Sequence, residues 1–344
     1  MTRVVVLGAT GTVGRELVRL LAAREDTEVV AAGRNRVLLE HLEASLGVRV
    51  QRFDSVSMPA SELPAADVLV DLTFSLNRHP RWVTRSAERS VATLLDYLRL
   101  NPGSQLVHTG TFALLNQRPE LADELCSKLL WSDSYMLSKS AAERALHRAG
   151  PPERVAVIRL GNMAVPDMTW TTAILRAVRD GAVSDPTVLS RPANLSDARQ
   201  LADAIFEGRT GLSYLPDMAG FTWGDVIGAV AASTGERFEI PPHHEPAADP
   251  ADRALAVRTV LNKALYAAPL NTASGPLEGL PGAGRWLGAG RNFVRGTRPA
   301  PPSFPAALPP GDTPIPGAER DEARLQALVE DLAALFERRG WKPL

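Results

Sequence analysis

Tyr135 and Lys139 are the two residues whose types and spacing point most directly to chemistry in this sequence. Four residues apart in a helix, their side chains lie on one face, one turn from each other. A lysine cation next to a tyrosine favours the phenolate and lowers the pKa of the phenol. Such a tyrosine can donate or accept a proton near neutral pH, so the pair predicts general acid/base catalysis.

A glycine-rich turn near the start of the chain indicates what binds next to that pair. Gly8, Gly11 and Gly14 stand between an apolar run, typical of a buried strand, and an amphipathic run, typical of a helix. A dinucleotide pyrophosphate binds to N–H groups at a helix N-terminus, where the turn is free of side chains. The spacing is G-x-x-G-x-x-G rather than G-x-G-x-x-G. The residues expected to contact the cofactor here are Gly8, Thr10, Gly11, Thr12, Val13 and Gly14.

The end of the second predicted strand indicates which dinucleotide is preferred. An acidic residue here binds the ribose 2′-hydroxyl of NAD, whereas an arginine suits the 2′-phosphate of NADP. No Asp or Glu lies between Val29 and Leu39, and Arg34 follows the strand. Arg34 therefore favours NADP(H), with NAD(H) as the alternative.

Short β-branched runs alternate with helical patterns over the first 160 residues or so, which predicts an α/β fold. The expected architecture is a Rossmann-type, doubly wound parallel sheet with a smaller substrate-binding region, mostly C-terminal. We place the nucleotide-binding domain at 1–165, with later returns near 190–216, and the substrate-binding and lid region at 166–344. The predicted strands are Arg3–Leu7, Glu28–Ala32, Val48–Phe53, Val68–Leu72, Gln105–Thr109 and Val155–Leu160. The predicted helices include Thr12–Arg24, Val37–Leu46, Ala87–Leu98 and Ser138–Arg148, and residues 265–317 form a Pro/Gly-rich segment.

The composition excludes several other functional classes. The 344 residues are 45% hydrophobic and 22% charged, with a formal net charge of −1, so no basic surplus indicates a nucleic-acid or membrane partner. Cys126 is the only cysteine, and no apolar run approaches the length of a membrane span. The six histidines show no metal-ligand spacing. We expect a cytoplasmic protein without a metal site.

With these residues, the chain resembles the short-chain dehydrogenase/reductase superfamily, in its extended, epimerase/dehydratase-like branch. The resemblance covers about residues 1–235. It rests on the glycine turn, Thr109-Gly110-Thr111, Tyr135-x-x-x-Lys139, and Arg159-Leu160-Gly161-Asn162. It implies that Tyr135 exchanges a proton with the substrate oxygen and that Lys139 holds the nicotinamide ribose.

The resemblance also implies a Ser or Thr hydroxyl that orients the substrate carbonyl. Thr111 and Thr109 compete for that role, and Thr111 is favoured as the third residue of the family's triplet, 24 residues before Tyr135. Asp54 matches a residue that contacts the adenine, although a turn-capping aspartate explains it equally well. Thr73 belongs to the loop that passes the cofactor ribose.

Where this sequence departs from the motifs of that family, the departures reduce the number of reactions to be expected. Phe112-Ala113 replaces the Asp-Glu pair of sugar dehydratases, so elimination of water is not expected. Phe112, Trp131 and Met163 are apolar residues near the expected pocket, typical of small-molecule sites. They predict reduction of a ketone or aldehyde, or oxidation of an alcohol, on an apolar molecule. The alternatives are an NAD-dependent nucleotide-sugar epimerase and a non-catalytic NADP(H) sensor.

Thr93-Leu94-Leu95 with Leu98 fits the helix through which relatives form homodimers. The same residues also fit a helix that simply packs on the sheet.

Overall fold

The computed structural model describes residues 1–74, 80–111, 134–181, 183, 189–190, 193–215, 221–238 and 322–338, of which 80–82, 134–137 and 169 are described by their backbone alone. The strands are β1 Thr2–Leu7, β2 Thr27–Gly33, β3 Arg49–Arg52, β4 Val68–Asp71, β5 Gln105–Thr111, β6 Val155–Leu160, β7 Asn162–Met163, β8 Leu195–Ser196 and β9 Gly211–Leu215. The helices are α1 Thr12–Ala22, α2 Arg36–Leu46, α3 Pro80–Leu100, α4 Ser134–Ala149, α5 Thr169–Asp180, α6 Ala198–Ala204, α7 Trp223–Thr234 and α8 Glu322–Arg338. A short 3-10 turn spans Ala60–Glu62.

Seven strands form one parallel sheet in the order β3-β2-β1-β4-β5-β6-β9. Its central strands are mostly apolar and buried because helices cover both faces; Val4 to Leu7 of β1 are all buried. The predicted Rossmann-type α/β fold is confirmed. A small second sheet pairs β7 with β8, and the sequence did not suggest it.

Two layers of helices bury the sheet. On one face, Leu17 and Leu21 of α1 and Leu201 of α6 pack with Val4 and Val6. On the other face, residues of α3 and α4 pack with Val5 and Leu69. Successive side chains of a strand point to opposite faces of the sheet, so Val4 and Val6 pack in one layer and Val5 packs in the other.

Helix α3 begins at Pro80 and is longer than its predicted range of Ala87–Leu98, because Val83, four residues before Ala87, continues the buried face into the first turns. Leu94, Leu95 and Leu98 are buried against the sheet within the chain. These leucines therefore have packing partners already, and a homodimer through them stays a prediction.

A further apolar cluster joins α5, α7 and α8. Trp170 stacks on Trp223 with ring centroids 5.6 Å apart, and Leu328 and Phe336 of α8 pack into the same cluster. The capping box between Thr222 and Asp225 starts α7. Residues 265–317, expected as a lid, lie outside the described residues. In the described parts of the chain, no helix is both long and apolar enough to cross a membrane.

Candidate active site

The candidate site lies at the carboxyl ends of β1, β4 and β5. The order of the sheet reverses here: the chain runs outward from β1 to β2 and β3, then returns to β4 on the other side of β1. The loops that follow β1 and β4 therefore diverge and leave a crevice, where open α/β sheets bind their ligands. The glycine turn and Thr73 follow these two strands, and Thr111 ends β5.

The glycine turn has a backbone that side chains would obstruct. Gly8 has φ +79°, a left-handed conformation that favours glycine. A Cβ added to Gly14 would lie 2.2 Å from the carbonyl oxygen of Gly8 and 2.9 Å from Cα of Ala9. The N–H of Gly11 donates to that same oxygen of Gly8 at 2.9 Å, which closes the turn. The predicted tight turn is present, with Thr10 at its tip next to the end of β2.

Helix α1 begins at this turn without a side-chain cap. Its N-cap is Gly11, so no side-chain oxygen accepts from the first helical N–H groups. Those groups, on Thr12, Val13 and Gly14, lack intrahelical acceptors because they belong to the first turn. Uncapped N–H groups and the helix dipole attract an anion, so the turn fits a dinucleotide pyrophosphate.

Arg34 lies directly after β2 and is exposed. Among the described residues it has no hydrogen bond or ion pair. Its neighbour Arg36 is bound to Glu40 with Nε to Oε1 at 2.7 Å, and Asn35 caps α2 by accepting from the N–H of Leu38. Of these two arginines, Arg34 has the guanidinium available for a ligand at the end of β2.

Asp54, predicted to contact the adenine, holds its own turn. Its carboxylate accepts from the N–H of Val56 at 3.1 Å and from the hydroxyl of Ser57 at 3.0 Å. The turn-capping explanation is therefore satisfied by the geometry, and a contact with adenine stays a prediction.

Lys139 is buried inside α4 and binds two backbone carbonyls. Its side chain is 3% exposed, and Nζ donates to the carbonyl oxygen of Thr109 at 2.7 Å and of Thr73 at 3.1 Å. Burial lowers the pKa of Lys139, and the charges of Asp71 and Glu143 oppose that effect. Tyr135 lies in the same helix, one turn earlier, where its backbone alone is described.

Asp71 and His108 form a buried pair that the sequence analysis missed. Nδ1 of His108 donates to Oδ2 of Asp71 at 2.8 Å, and both side chains are 2% exposed. Burial would raise the pKa of Asp71, but His108, Lys139 and Thr73 together hold it below its ordinary value. The two residues are direct partners in the register of β4 and β5. Asp71 is the one ionisable residue of β4 and His108 is the one ionisable residue of β5, and this signal could have identified the pair from the sequence.

A second buried pair anchors α4 to the sheet. Glu143 accepts from Arg159 at 2.7 Å between Oε2 and Nη2, with the side chains 2% and 1% exposed. The guanidinium also donates to the hydroxyl of Tyr214 at 3.2 Å. Gly110 makes room for the pair, because a Cβ there would lie 2.3 Å from Oε1 of Glu143. Glu143 follows Lys139 by one helical turn, so this pair fixes the depth at which α4 sits.

The two candidate threonines at the end of β5 differ in their contacts. The hydroxyl of Thr109 donates to the carbonyl oxygen of Asp71 at 3.0 Å, which ties β5 to β4. Thr111 ends the strand and is buried. Thr109 therefore has a structural partner within the sheet, and the catalytic role of Thr111 stays a prediction.

The three residues predicted to line the substrate pocket have separate outcomes. Met163, in β7, is 3% exposed and packs in the core with Leu160 and Val165. That position is explained by packing alone, and contact with a substrate stays a prediction. Phe112 and Trp131 lie outside the described residues.

The sheet order, the glycine turn and the buried lysine define a Rossmann fold of the nucleotide-binding type. The expected resemblance to the short-chain dehydrogenase/reductase superfamily is supported at the level of the fold. Residues 2–85 match the family model for dihydrodipicolinate reductase, N-terminus. This match spans the glycine turn, Arg34, Asp54 and Thr73, which form the expected nucleotide-binding half of the site.

Solved structures with the same fold include reductases and sugar-nucleotide enzymes. A reductase engineered for asymmetric catalysis is 14% identical, with coverage of 76% of this chain and 94% of its own, at a TM-score of 0.53. WbmG of Bordetella bronchiseptica, solved with NAD, is 16% identical, with coverage of 74% and 87%, at 0.53. The UDP-Glc/GlcNAc 4-epimerase of Campylobacter jejuni is 16% identical, with coverage of 73% and 89%, at 0.51. A comparison with curated proteins gives no match.

Proposed function

We propose that this protein is an NAD(P)-dependent oxidoreductase that interconverts a carbonyl and an alcohol. The observation that carries the proposal is the position of Lys139, whose buried ammonium binds the carbonyls of Thr73 and Thr109 at the edge of the sheet. Moving a lysine ammonium out of water costs several kcal/mol of desolvation free energy, which only hydrogen bonds or an opposite charge offset. Next to the uncapped glycine turn, a nicotinamide ribose is the ligand whose hydroxyl groups suit that ammonium.

The residues divide the chemistry among them. The hydroxyl of Tyr135 exchanges a proton with the substrate oxygen, and the cation of Lys139, one turn away, stabilises the phenolate that forms. The hydroxyl of Thr111 donates to the substrate oxygen and orients it. Hydride donation or acceptance is the chemistry that a nicotinamide cofactor would supply when bound. Buried strands on either side exclude water from the lysine.

NADP(H) is the proposed cofactor, with NAD(H) second. Arg34 supports this preference because its guanidinium is exposed and lies where the second strand ends, the position of the 2′-phosphate in this fold. A phosphate binds a guanidinium through charge-assisted hydrogen bonds, which a ribose hydroxyl cannot match. We expect the substrate to be an apolar small molecule, on the strength of Phe112, Trp131 and Met163.

The first test is the nucleotide itself. Any nucleotide released from the purified protein is identified, and the apo-protein is titrated with NADPH and NADH. Freely exchanging NADPH with the tighter affinity supports the proposal. Tightly held NAD at one equivalent supports a nucleotide-sugar epimerase instead, and no binding of either nucleotide refutes both.

The second test separates catalysis from cofactor sensing. With a carbonyl substrate found by screening, Tyr135→Phe should abolish turnover and leave NADPH binding nearly unchanged. Tyr97→Phe is the matched control, because the hydroxyl of Tyr97 donates to the carbonyl of Pro64, away from the site. Turnover that survives Tyr135→Phe would refute the mechanism.

A further inference from the structure

Asp71 is hydrogen-bonded to both residues that hold Lys139. Its Oδ1 accepts from the N–H of Thr73 at 3.0 Å and from the hydroxyl of Thr73 at 2.6 Å. Its main-chain oxygen accepts from the hydroxyl of Thr109 at 3.0 Å. The carbonyls of these same two threonines bind the Lys139 ammonium. The four residues therefore close a ring in which Asp71 lies opposite the lysine.

We propose that Asp71 is a positioning residue for Lys139. It fixes the two carbonyls that bind the ammonium, and the negative charge of its carboxylate stabilises the positive charge of the lysine. His108 holds the carboxylate in place. The consequence for catalysis rests on the proposed function, since Lys139 would bind the cofactor ribose and stabilise the Tyr135 phenolate. The hydrogen bonds of the ring are independent of that function.

The role of His108 follows from the hydrogen-bonding capacity of a carboxylate. An ionised carboxylate only accepts, so Nδ1 of His108 carries the hydrogen in its bond to Oδ2 of Asp71. With Oδ1 bound to Thr73 and Oδ2 bound to His108, the carboxylate is fixed by a different partner on each side. Nε2 of His108 is buried and has no hydrogen-bond partner among the described residues. The imidazole's hydrogen bond within the described part of the chain is therefore the one to Asp71.

Charge balance explains why an acid is needed at this depth. Burial disfavours the ammonium form of Lys139, because a low-dielectric interior solvates a charge poorly. Among the described side chains, the charged and titratable groups around it are Asp71 from β4, His108 from β5, Glu143 from α4 and, beyond Glu143, Arg159 from β6. Because Glu143 forms an ion pair with Arg159, the Arg159 cation largely balances the charge of Glu143. Asp71 is therefore the acid that balances the charge of Lys139.

Lysine NMR tests the proposal without cofactor or turnover. The chain has four lysines, Lys128, Lys139, Lys263 and Lys342, so protein labelled with 13C at lysine Cε gives few signals. Loss of one signal in Lys139→Arg assigns Lys139. Its titration is then followed from pH 6 to 11 in the wild type, in Asp71→Asn and in Asp67→Asn. Asp67 is the matched control because it precedes the same strand and bonds the N–H of Arg3 at the opposite edge of the sheet.

In Asp71→Asn, the midpoint of Lys139 should move down by about one pH unit or more, because the variant removes a neighbouring negative charge that favours the ammonium form. The other lysines, and Lys139 in Asp67→Asn, should keep their midpoints. A midpoint for Lys139 that is unchanged or raised in folded Asp71→Asn overturns the proposal. Because no nucleotide is present, the result stands whether or not the protein binds NADP(H).

A second pair of variants applies if Asp71→Asn does not fold. His108→Phe removes the donor to Oδ2, whereas His108→Asn retains an amide N–H at the place of Nδ1. The proposal predicts a lower Lys139 midpoint in His108→Phe and a wild-type midpoint in His108→Asn. The same midpoint in both variants overturns it, because a purely structural histidine would not distinguish them.

Discussion

Removal of one partner of the Glu143–Arg159 pair should destabilise the protein far more than removal of an exposed ion pair. The two charges lie within a buried interface, with Oε2 and Nη2 2.7 Å apart. At an effective dielectric constant near 20, two unit charges about 4 Å apart attract each other by about 4 kcal/mol. A lone charge left behind keeps its desolvation penalty, so the loss on removing one partner is about 3–5 kcal/mol.

The measurement is a double-mutant cycle by urea denaturation. Glu143→Met and Arg159→Met should each lower the free energy of unfolding by about 3–5 kcal/mol. The double variant should lose less than the sum of the two, because it leaves no unpaired charge, and the coupling energy should exceed about 2 kcal/mol. Far-UV circular dichroism follows the transition, and refolding from urea checks its reversibility.

An exposed pair of similar bond length supplies the control. Arg199 and Asp331 are 2.8 Å apart, with side chains 47% and 52% exposed. Water screens such a pair, so Asp331→Asn should cost less than about 1 kcal/mol. If Glu143→Met costs no more than Asp331→Asn, burial does not strengthen the dependence of each charge on its partner, and the reasoning is refuted.

Three further predictions follow from the site. Gly14→Ala should weaken NADPH binding at least about tenfold, because its Cβ would lie 2.2 Å from a backbone oxygen. The control is Gly228→Ala on α7, where the added Cβ meets open space and NADPH should bind normally. Nucleotide titration compares the two variants. Arg34→Ala should weaken NADPH more than NADH, whereas equal losses, or the same loss in Arg36→Ala, would argue against a 2′-phosphate contact. Asp71 has a folded-state pKa below its ordinary 3.8, so its stabilisation is complete above pH 3.8 and is lost as the pH falls through the lower value. The stability difference between wild type and Asp71→Asn, measured in urea, should therefore shrink below about pH 3.8, and a constant difference would contradict it.

Local signals in the sequence were sufficient for most of the secondary structure. The apolar runs of β1, β2, β4 and β6 are buried, and their composition identifies them as strands without tertiary information. Gly14 could be identified for the same reason, because a strand, a glycine turn and a helix follow each other within a few residues. The prediction was short at the start of α3, where the buried Val83 is separated from Ala87 by the polar residues 84–86.

The sequence by itself determined the fold class, the glycine turn and the Tyr135–Lys139 spacing, since each depends on neighbours within about one helical turn or one strand. Only the tertiary structure decided what surrounds Lys139. Asp71 and His108 are 37 residues apart, and their pairing depends on the register of β4 against β5. Glu143 and Arg159 meet because α4 packs on β6, and their burial sets the strength of their attraction. Sequence spacing carries neither register nor burial, and both are properties of the assembled sheet.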